Sequence, residues 1–309
     1  MKKILSVVLL LLFAVNLVGC TPKSQHTFFA MNTFMDLQAW GADAEEGLVQ
    51  VRKLLSELEL RWSVTREDSA LSRLNRGEDP GLTHEEEAFL SRAEALSKAT
   101  NGAFNPKLYS VSQAWGFYNE AYRVPSQLEI SQAMTKEQWD LGAALKGYAG
   151  QRAVEILKSM KVDRAILNLG GNIQTYGEKP DGSPWQIGIQ NPNGGNYLGT
   201  VAVTGTASIV TSGDYQRYFE ENGVKYHHIL DPKTGYPANS GLQSVTVICR
   251  DGMTADALST ALFVMGLEEA AAFWRQNGEF EAVFLTAEGK LYATQGANLS
   301  GCEFEVIQK

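Results

Sequence analysis

The segment from Lys146 to Leu169, KGYAGQRAVEILKSMKVDRAILNL, separates a helical part of the chain from a strand-rich part. The apolar residues of this segment are spaced so that they share one face of a predicted helix: Ala149, Ala153, Ile156, Leu157 and Met160. Ala165–Leu169 is then a short run rich in strand-forming residues that ends at a pair of glycines. A helix over 146–160 followed by a strand over 165–169 is therefore expected.

The patterns on either side agree with this division. Before it, we predict helices over Glu45–Arg61, from the capping box at Thr83 to Asn101, and from a second capping box at Ser126. After it, predicted strands cover Trp185–Gln190, Gly199–Val203, Ser208–Thr211, Lys225–Leu230, Ser244–Cys249, Ala282–Leu285 and Leu291–Thr294, with helices over Met253–Met265 and Leu267–Gln276. Grouped helices and strands favour an α+β class, with antiparallel-rich sheets in a single large domain, over a doubly wound parallel sheet.

The N-terminus has the pattern of an export signal. Lys2 and Lys3 precede the apolar run Ile4–Val18, and Leu-Val-Gly-Cys ends it at Cys20. This ending resembles a lipobox, which implies cleavage before Cys20 and a diacylglycerol on its sulfur; an ordinary signal peptide is the alternative. We therefore expect a signal peptide over 1–19, a lipidated cysteine and polar tether over 20–27, and a domain over 28–309 at the extracytoplasmic face of a bacterial membrane.

Composition excludes several kinds of function. The net charge of −8 becomes −10 without Lys2 and Lys3, and no basic cluster is present, which argues against a nucleic-acid partner. We expect no later segment to reach the roughly 20 apolar residues of a membrane span. Without a C-x-x-C motif, a zinc site has no support, and whether Cys249 and Cys302 pair is left open.

A candidate metal site lies in Thr-Ala-Asp256-Ala-Leu-Ser-Thr260. Residues four apart share a helix face, so the Asp256 carboxylate and the Thr260 hydroxyl can reach the same cation. Oxygen ligands of this kind suit Mg²⁺, which usually keeps other positions for water or substrate phosphates. The alternative is an Asp favoured by the helix dipole in the first turn and a Thr packed in the core.

Two glycine-containing segments are candidates for ligand contact. In Trp139–Gly147, small residues allow close approach of a ligand, with Asp140 suited to ribose hydroxyls or ring NH groups and Lys146 to phosphate. The alternative is a loop before a helix with a solvated lysine. In Asn168–Asn172, the double glycine permits either ligand approach or a plain turn.

Two adjacent histidines, His227 and His228, lie in the predicted strand Lys225–Leu230. Neighbouring strand residues point to opposite faces, so only one of the two is expected to face a site. A histidine there can take up a proton near neutral pH. The alternative is a surface histidine or one satisfied inside the core.

The order of these segments resembles one known family. The series comprises Met31-Asn-Thr33, Arg66–Asn75, Gly102–Pro106, Asp140-x-Gly-Ala-x-x-Lys146-Gly, Asn168–Asn172, Thr211–Tyr215, His228–Gly235 and Ala255-Asp256-x-x-x-Thr260. Together they resemble the ApbE-type FAD:protein FMN transferases over nearly all of the chain after the tether.

The resemblance implies a T-fold-like α+β domain with FAD in a cleft. The positions that match the flavin-nucleotide site are Met31, Thr65, Ala103, Phe104, Asn105, Asp140, Lys146 and Leu230. Those that match the Mg²⁺ site are Ala143, through its carbonyl, Asp256 and Thr260. The implied reaction moves FMN from FAD to a Thr or Ser hydroxyl of an acceptor and leaves AMP, with His228 as candidate base. The implied acceptors resemble membrane redox-pump subunits and carry an Asp-x-x-(Ser/Thr)-Gly-Ala-type segment.

Three positions depart from the family pattern. Thr65 stands where many members have an aromatic residue, Asn105 where many have Asp, and Ser259 where some have a second Asp. Some relatives hydrolyse FAD to FMN and AMP, so a Mg²⁺-dependent FAD pyrophosphatase is the alternative to a transferase. A non-catalytic flavin-binding lipoprotein is the third hypothesis.

Overall fold

The structure is a computed structural model that describes residues 21–309. The predicted signal peptide and Cys20 lie outside the described residues, so cleavage and lipidation stay predictions.

The helices lie mostly in the first half of the chain. Their bounds are α1 Ala44–Trp62, α2 Ala70–Asn75, α3 His84–Ala99, α4 Tyr109–Ala114, α5 Gln127–Met134, α6 Leu145–Lys158 and α7 Gly252–Asn277. Both predicted capping boxes are present, because the Thr83 and Ser126 hydroxyls accept from the amides of the third residues of α3 and α5. Helix α7 breaks at Gly266, which lies between the two helices predicted there. The short helices α2 and α4 were not predicted, since six residues give too short a periodicity to detect.

Within residues 21–309, the strands form one large sheet and two small ones. Their bounds are β1 Lys23–Ala30, β2 Thr33–Gly41, β3 Val162–Leu169, β4 Asn172–Tyr176, β5 Trp185–Ile189, β6 Gly199–Val203, β7 Ala207–Gly213, β8 Tyr218–Glu221, β9 Val224–His227, β10 Leu242–Cys249, β11 Glu281–Thr286, β12 Leu291–Thr294, β13 Leu299–Ser300 and β14 Glu305–Ile307. The large sheet has the order β1-β2-β3-β4-β7-β10-β11-β12-β14, and only β12 and β14 pair in parallel. The prediction of an antiparallel-rich α+β domain is confirmed.

The tether prediction for 20–27 is wrong from residue 23 onward. Strand β1 pairs with β2 in continuous register, from Lys23 opposite Trp40 to Ala30 opposite Thr33. The strand lies at the sheet edge and alternates between exposed and partly buried positions, so its sequence is polar enough to resemble a linker. The amide of Gly41 also bonds to the carbonyl of Pro22 at 3.0 Å, which fixes the chain two residues after Cys20.

The core lies between the helices and the sheet. Helices α1 and α6 cover β1–β4 with residues such as Leu48, Leu55 and Leu157, and α7 covers β7, β10 and β11 with Leu262 and Trp274. The opposite face of the sheet packs against the small β13-β6-β5 sheet. Helices α6 and α7 run in contact with each other, and the candidate site lies where their first turns meet.

One expectation about membrane spans needs correction. By length and composition, α7 is apolar enough to cross a membrane. Its most apolar window is 56% buried within the structure, because the helix packs on the large sheet. Core helices of globular proteins share this composition, so the criterion is weak evidence for a span.

Candidate active site

An open cleft of about 1250 Å³ lies at the N-terminal ends of α6 and α7. Its other walls come from the β1–β2 turn, strand β7 and the segment that follows β9. All twelve predicted site residues of the domain line it: Met31, Thr65, Ala103, Phe104, Asn105, Asp140, Ala143, Lys146, His228, Leu230, Asp256 and Thr260. Residues far apart in sequence therefore converge on one volume.

Two tight turns form one edge of the cleft. Met31 and Asn32, at φ 49° and 59°, make the β1–β2 turn with both central residues left-handed, which is typical of a type I′ hairpin. In the β3–β4 turn, Gly170 has φ 65° and approaches Thr33 so closely that a Cβ atom would lie 2.3 Å from its side chain. The double glycine therefore makes a plain turn and also lines the cleft.

Asp140 is held rigidly at the cleft wall. Asn75 fixes the preceding residue through two hydrogen bonds with the Trp139 backbone, of 2.9 and 2.6 Å. The Asp140 carboxylate accepts from the Gly142 amide at 3.0 Å and from the Tyr118 hydroxyl. Burial and the neighbouring Asp140 charge raise the pKa of Tyr118 well above its ordinary value, so this hydroxyl stays a donor.

Asp256 lies where α6 and α7 touch. A Cβ atom on Gly147 would lie 2.0 Å from the Gly252 carbonyl oxygen, so only glycine permits this approach. The contact lets the Gly147 amide donate to Asp256 Oδ2 at 2.8 Å. The carboxylate is 5% exposed, and burial raises its pKa, while the Lys146 charge and the Gly147 amide oppose that rise.

The alternative explanation of Asp256, an Asp favoured by the helix dipole in the first turn, does not match its position. Asp251 is the N-cap of α7, where its side chain accepts from the Thr254 amide at 2.8 Å and pairs with Arg92. Asp256 is the fifth residue of the helix and points into the cleft instead. The Asn172 amide faces the same carboxylate and favours its charged form, although its Nδ2 makes no hydrogen bond of acceptable geometry.

The donor set fits Mg²⁺ in its chemistry. Within residues 21–309, no group of three or more His, Cys, Asp or Glu side chains is arranged to hold a metal. Where α6 and α7 meet, the cleft instead offers the Asp256 carboxylate, the Thr260 hydroxyl and the segment around Ala143. Mg²⁺ is commonly held by one or two carboxylates together with substrate phosphates and water, so an additional ligand from a phosphate is compatible with this set.

His228 is the histidine that faces the cleft. Its Nδ1 lies 3.1 Å from the Arg217 carbonyl oxygen, which can only accept, so Nδ1 carries the proton. Burial, followed by the Arg217 charge, lowers the pKa of His228 to about 3. The neutral ring therefore has an unprotonated Nε2. The neighbouring His227 is buried and bonds to the Ala238 carbonyl at 3.1 Å.

Several residues of this site were not predicted individually. Tyr118, Arg217 and Ser212 line the cleft and contact Asp140, His228 and Thr260 respectively. Ser212 belongs to the Thr211–Tyr215 motif and was visible as part of it. Tyr118 and Arg217 act through contacts between distant segments, for which the sequence has no local pattern. Cys249 and Cys302 are both free thiols.

The architecture and cleft define an α+β protein with one large ligand cleft between a helical layer and a sheet. Residues 31–284 match the ApbE family, and this chain belongs to that family. Its relatives include the FAD:protein FMN transferases of Treponema pallidum, 32% identical over 82% of this chain and 81% of theirs, and Klebsiella pneumoniae, 33% identical over 77% and 81%.

Solved structures agree with this assignment. The ApbE protein of Thermotoga maritima superposes with a TM-score of 0.81 at 30% identity, covering 89% of this chain and 97% of that one. The flavin transferase ApbE of Vibrio cholerae gives 0.79 at 28% identity, covering 89% and 98%. The expected ApbE architecture is confirmed.

Proposed function

We propose that this chain is an enzyme that transfers FMN from FAD to a protein hydroxyl and releases AMP, with Mg²⁺ bound at Asp256 and Thr260. The convergence of all twelve family-matched positions on one cleft carries the proposal. The cleft volume of about 1250 Å³ is suited to a large dinucleotide, since drug-sized ligands occupy roughly 300–1,000 Å³. The transferase names of the curated relatives support the same reaction.

Different charged groups of the cleft are suited to different parts of the ligand. Lys146 supplies a positive charge beside Asp256, where the diphosphate would lie. Asp140, with both oxygens already oriented, is suited to hydroxyl or NH groups of the nucleotide. Mg²⁺, when bound, would neutralise charge that builds up on the phosphate oxygens and on the departing AMP.

We assign to His228 the role of accepting the proton of the acceptor hydroxyl; its unprotonated Nε2 in the cleft supports this assignment. The acceptor O–H bond breaks as its proton passes to Nε2, and the oxygen forms a bond to the FMN phosphorus. The bond from that phosphorus to the bridging oxygen breaks, and AMP leaves with the electron pair. No covalent intermediate on this chain is required, because positioning and charge neutralisation account for most of phosphoryl-transfer catalysis.

The proposed acceptor rests on the resemblance to the family, and the proposed location rests on the N-terminal sequence. We propose an acceptor with an Asp-x-x-(Ser/Thr)-Gly-Ala-type segment, such as a membrane redox-pump subunit, and attachment through lipidated Cys20 outside the cytoplasm. With β1 beginning at Lys23, Thr21 and Pro22 alone would separate the lipid from the sheet. The reaction would therefore take place close to the membrane.

FAD hydrolysis is a second candidate reaction. Thr65 contributes a small side chain to the cleft, and its hydroxyl lies 3.0 Å from that of Ser63. Without an aromatic ring at this position, the flavin loses one stacking surface and water has more room. Hydrolysis would use the same cleft, with water as the acceptor.

One experiment separates these functions. The protein is incubated with FAD and Mg²⁺, with an acceptor carrying the target segment, with its Ser/Thr→Ala variant, or without an acceptor. Covalent flavin on the intact acceptor alone supports transfer, whereas FMN and AMP formed at equal rates in all three samples support hydrolysis. Intact FAD in every sample would contradict both.

A further inference from the structure

Three hydroxyl groups beside Asp256 form a continuous hydrogen-bonded chain. Ser212 Oγ lies 3.2 Å from Thr260 Oγ1 and 2.8 Å from Ser259 Oγ. Ser259 Oγ in turn lies 2.8 Å from the Asp256 carbonyl oxygen. Ser259 is fully buried, so water does not compete for its contacts, whereas Ser212 and the partly buried Thr260 border the cleft.

Only one arrangement of the hydroxyl protons makes all three contacts hydrogen bonds. The Asp256 carbonyl can only accept, so Ser259 uses its single proton there. Ser212 must then donate to Ser259, because Ser259 has no second proton. Thr260 then donates to Ser212, and among residues 21–309 no group donates a hydrogen bond to the lone pairs of Thr260 Oγ1.

We infer that Ser212 and Ser259 are positioning residues that turn the Thr260 proton away from the cleft and keep its lone pairs available to a hard cation. The inference rests on the proposed function, in which Thr260 is a ligand. A hydroxyl coordinates a cation through its oxygen lone pairs, and a proton directed at the ion opposes binding. The chain of serines therefore selects the ligating orientation before the ion arrives.

The same contacts account for Ser259, the position at which some relatives have a second Asp. Ser259 is fully buried and does not line the cleft, since its hydroxyl lies between Ser212 and the Asp256 carbonyl. It therefore orients a ligand instead of serving as one. The site has one carboxylate and a pre-oriented neutral hydroxyl.

The test measures metal affinity directly. Mn²⁺, which electron paramagnetic resonance detects when free, is titrated into the full chain without nucleotide, because ADP would itself bind Mn²⁺ and lower the free-ion signal. Ser212→Ala should weaken Mn²⁺ binding roughly three- to tenfold, the equivalent of one neutral hydrogen bond. Ser208→Ala is the matched control. Ser208 is a buried serine of the same strand, and its hydroxyl donates to Gln174, which is not one of the three hydrogen-bonded hydroxyl residues.

A double-mutant cycle shows whether Ser212 acts through Thr260. Thr260→Ala alone should weaken Mn²⁺ binding, and adding Ser212→Ala should weaken it no further. Equal Mn²⁺ affinities of wild type and Ser212→Ala, or full additivity in the double variant, would overturn the inference. Mn²⁺ binding by the wild type would still support the proposed metal site in that case. Absence of Mn²⁺ binding by the wild type would overturn both, and flavin transfer measured in parallel reports on the proposed function separately. Unchanged melting temperatures show that the variants fold.

Discussion

The backbone amide of Gly147 donates a 2.8 Å hydrogen bond to Oδ2 of Asp256, and this contact joins the N-terminal ends of α6 and α7. It depends on direct backbone approach, because a Cβ atom on Gly147 would also lie 2.7 Å from Asp256 Cβ. The position of the candidate metal ligand is therefore set by a glycine on another helix.

Gly147→Ala should destabilise the protein and strongly reduce FAD cleavage. The methyl group forces α6 and α7 apart, which costs about 1–3 kcal/mol by overpacking and moves the amide away from Asp256. Gly150→Ala, on the same helix, meets its nearest atoms at 3.4 Å and should be tolerated, with a gain of up to about 1 kcal/mol from helix propensity. Thermal unfolding and turnover of the two variants check this, and equal behaviour would contradict it.

Asp256→Asn should abolish turnover while it raises stability. Burial raises the pKa of Asp256, so the folded state binds its proton more readily than the unfolded state, and stability falls as pH rises above the ordinary carboxyl pKa. Asn keeps an oxygen that can accept from the Gly147 amide, but it removes the buried charge. The free energy of unfolding should therefore rise by about 1 kcal/mol, which corresponds to roughly 2–4 °C in Tm. Added Mg²⁺ should raise the Tm of the wild type alone. A destabilised, Mg²⁺-responsive variant would contradict the assignment.

Local patterns made part of this site predictable. Asp256 and Thr260 lie one turn apart on one helix, and the capping boxes at Thr83 and Ser126 follow from residues three apart. The contact of Gly147 with Gly252 joins segments that are distant in sequence, and no pattern near either glycine indicates it. Strand β1 was missed for a different reason, because a polar edge strand is formed by its partner more than by its own residues.

Lys146→Ala should weaken FAD binding by roughly 1.5–3 kcal/mol, the scale of a hydrogen bond to a charged group. Lys146 lines the cleft, and its charge acts on both Asp256 and His228. Lys158→Ala is the control, because Lys158 lies at the other end of α6 against the Tyr176 ring. Fluorescence titration with FAD should separate the two variants, and equal affinity of Lys146→Ala and wild type would remove Lys146 from the site.

Cys20→Ser should release the protein from the membrane fraction. One acyl chain gives only weak membrane attachment, so stable retention depends on full lipid modification at this residue. Membrane and soluble fractions of cells that express wild type or variant are compared by immunoblot, with Cys302→Ser as the control for loss of a thiol. Retention of Cys20→Ser at the wild-type level would argue against a lipid anchor.

His228→Gln should remove transfer to the acceptor and also change how stability depends on pH. Because the folded-state pKa of about 3 lies below the ordinary 6.5, the unfolded state binds more protons between these values. Neutral His228 therefore stabilises the fold fully above pH 6.5, and this contribution declines as pH falls toward 3. Glutamine does not titrate, and its amide can still donate to the Arg217 carbonyl, so the variant should lose less stability in acid than the wild type.

The same lowered pKa makes a kinetic prediction for the wild type. Nε2 stays unprotonated through the range in which an ordinary histidine titrates, so kcat/KM for transfer should show no acid limb near pH 6.5 arising from this ring. Stopped assays of acceptor flavinylation from pH 5 to 8, together with denaturant unfolding at the same pH values, measure both effects. An acid limb near pH 6.5 in the kcat/KM profile of the wild type that disappears in His228→Gln would show that the ring titrates normally. The assignment of His228 as a buried, neutral base would then be wrong.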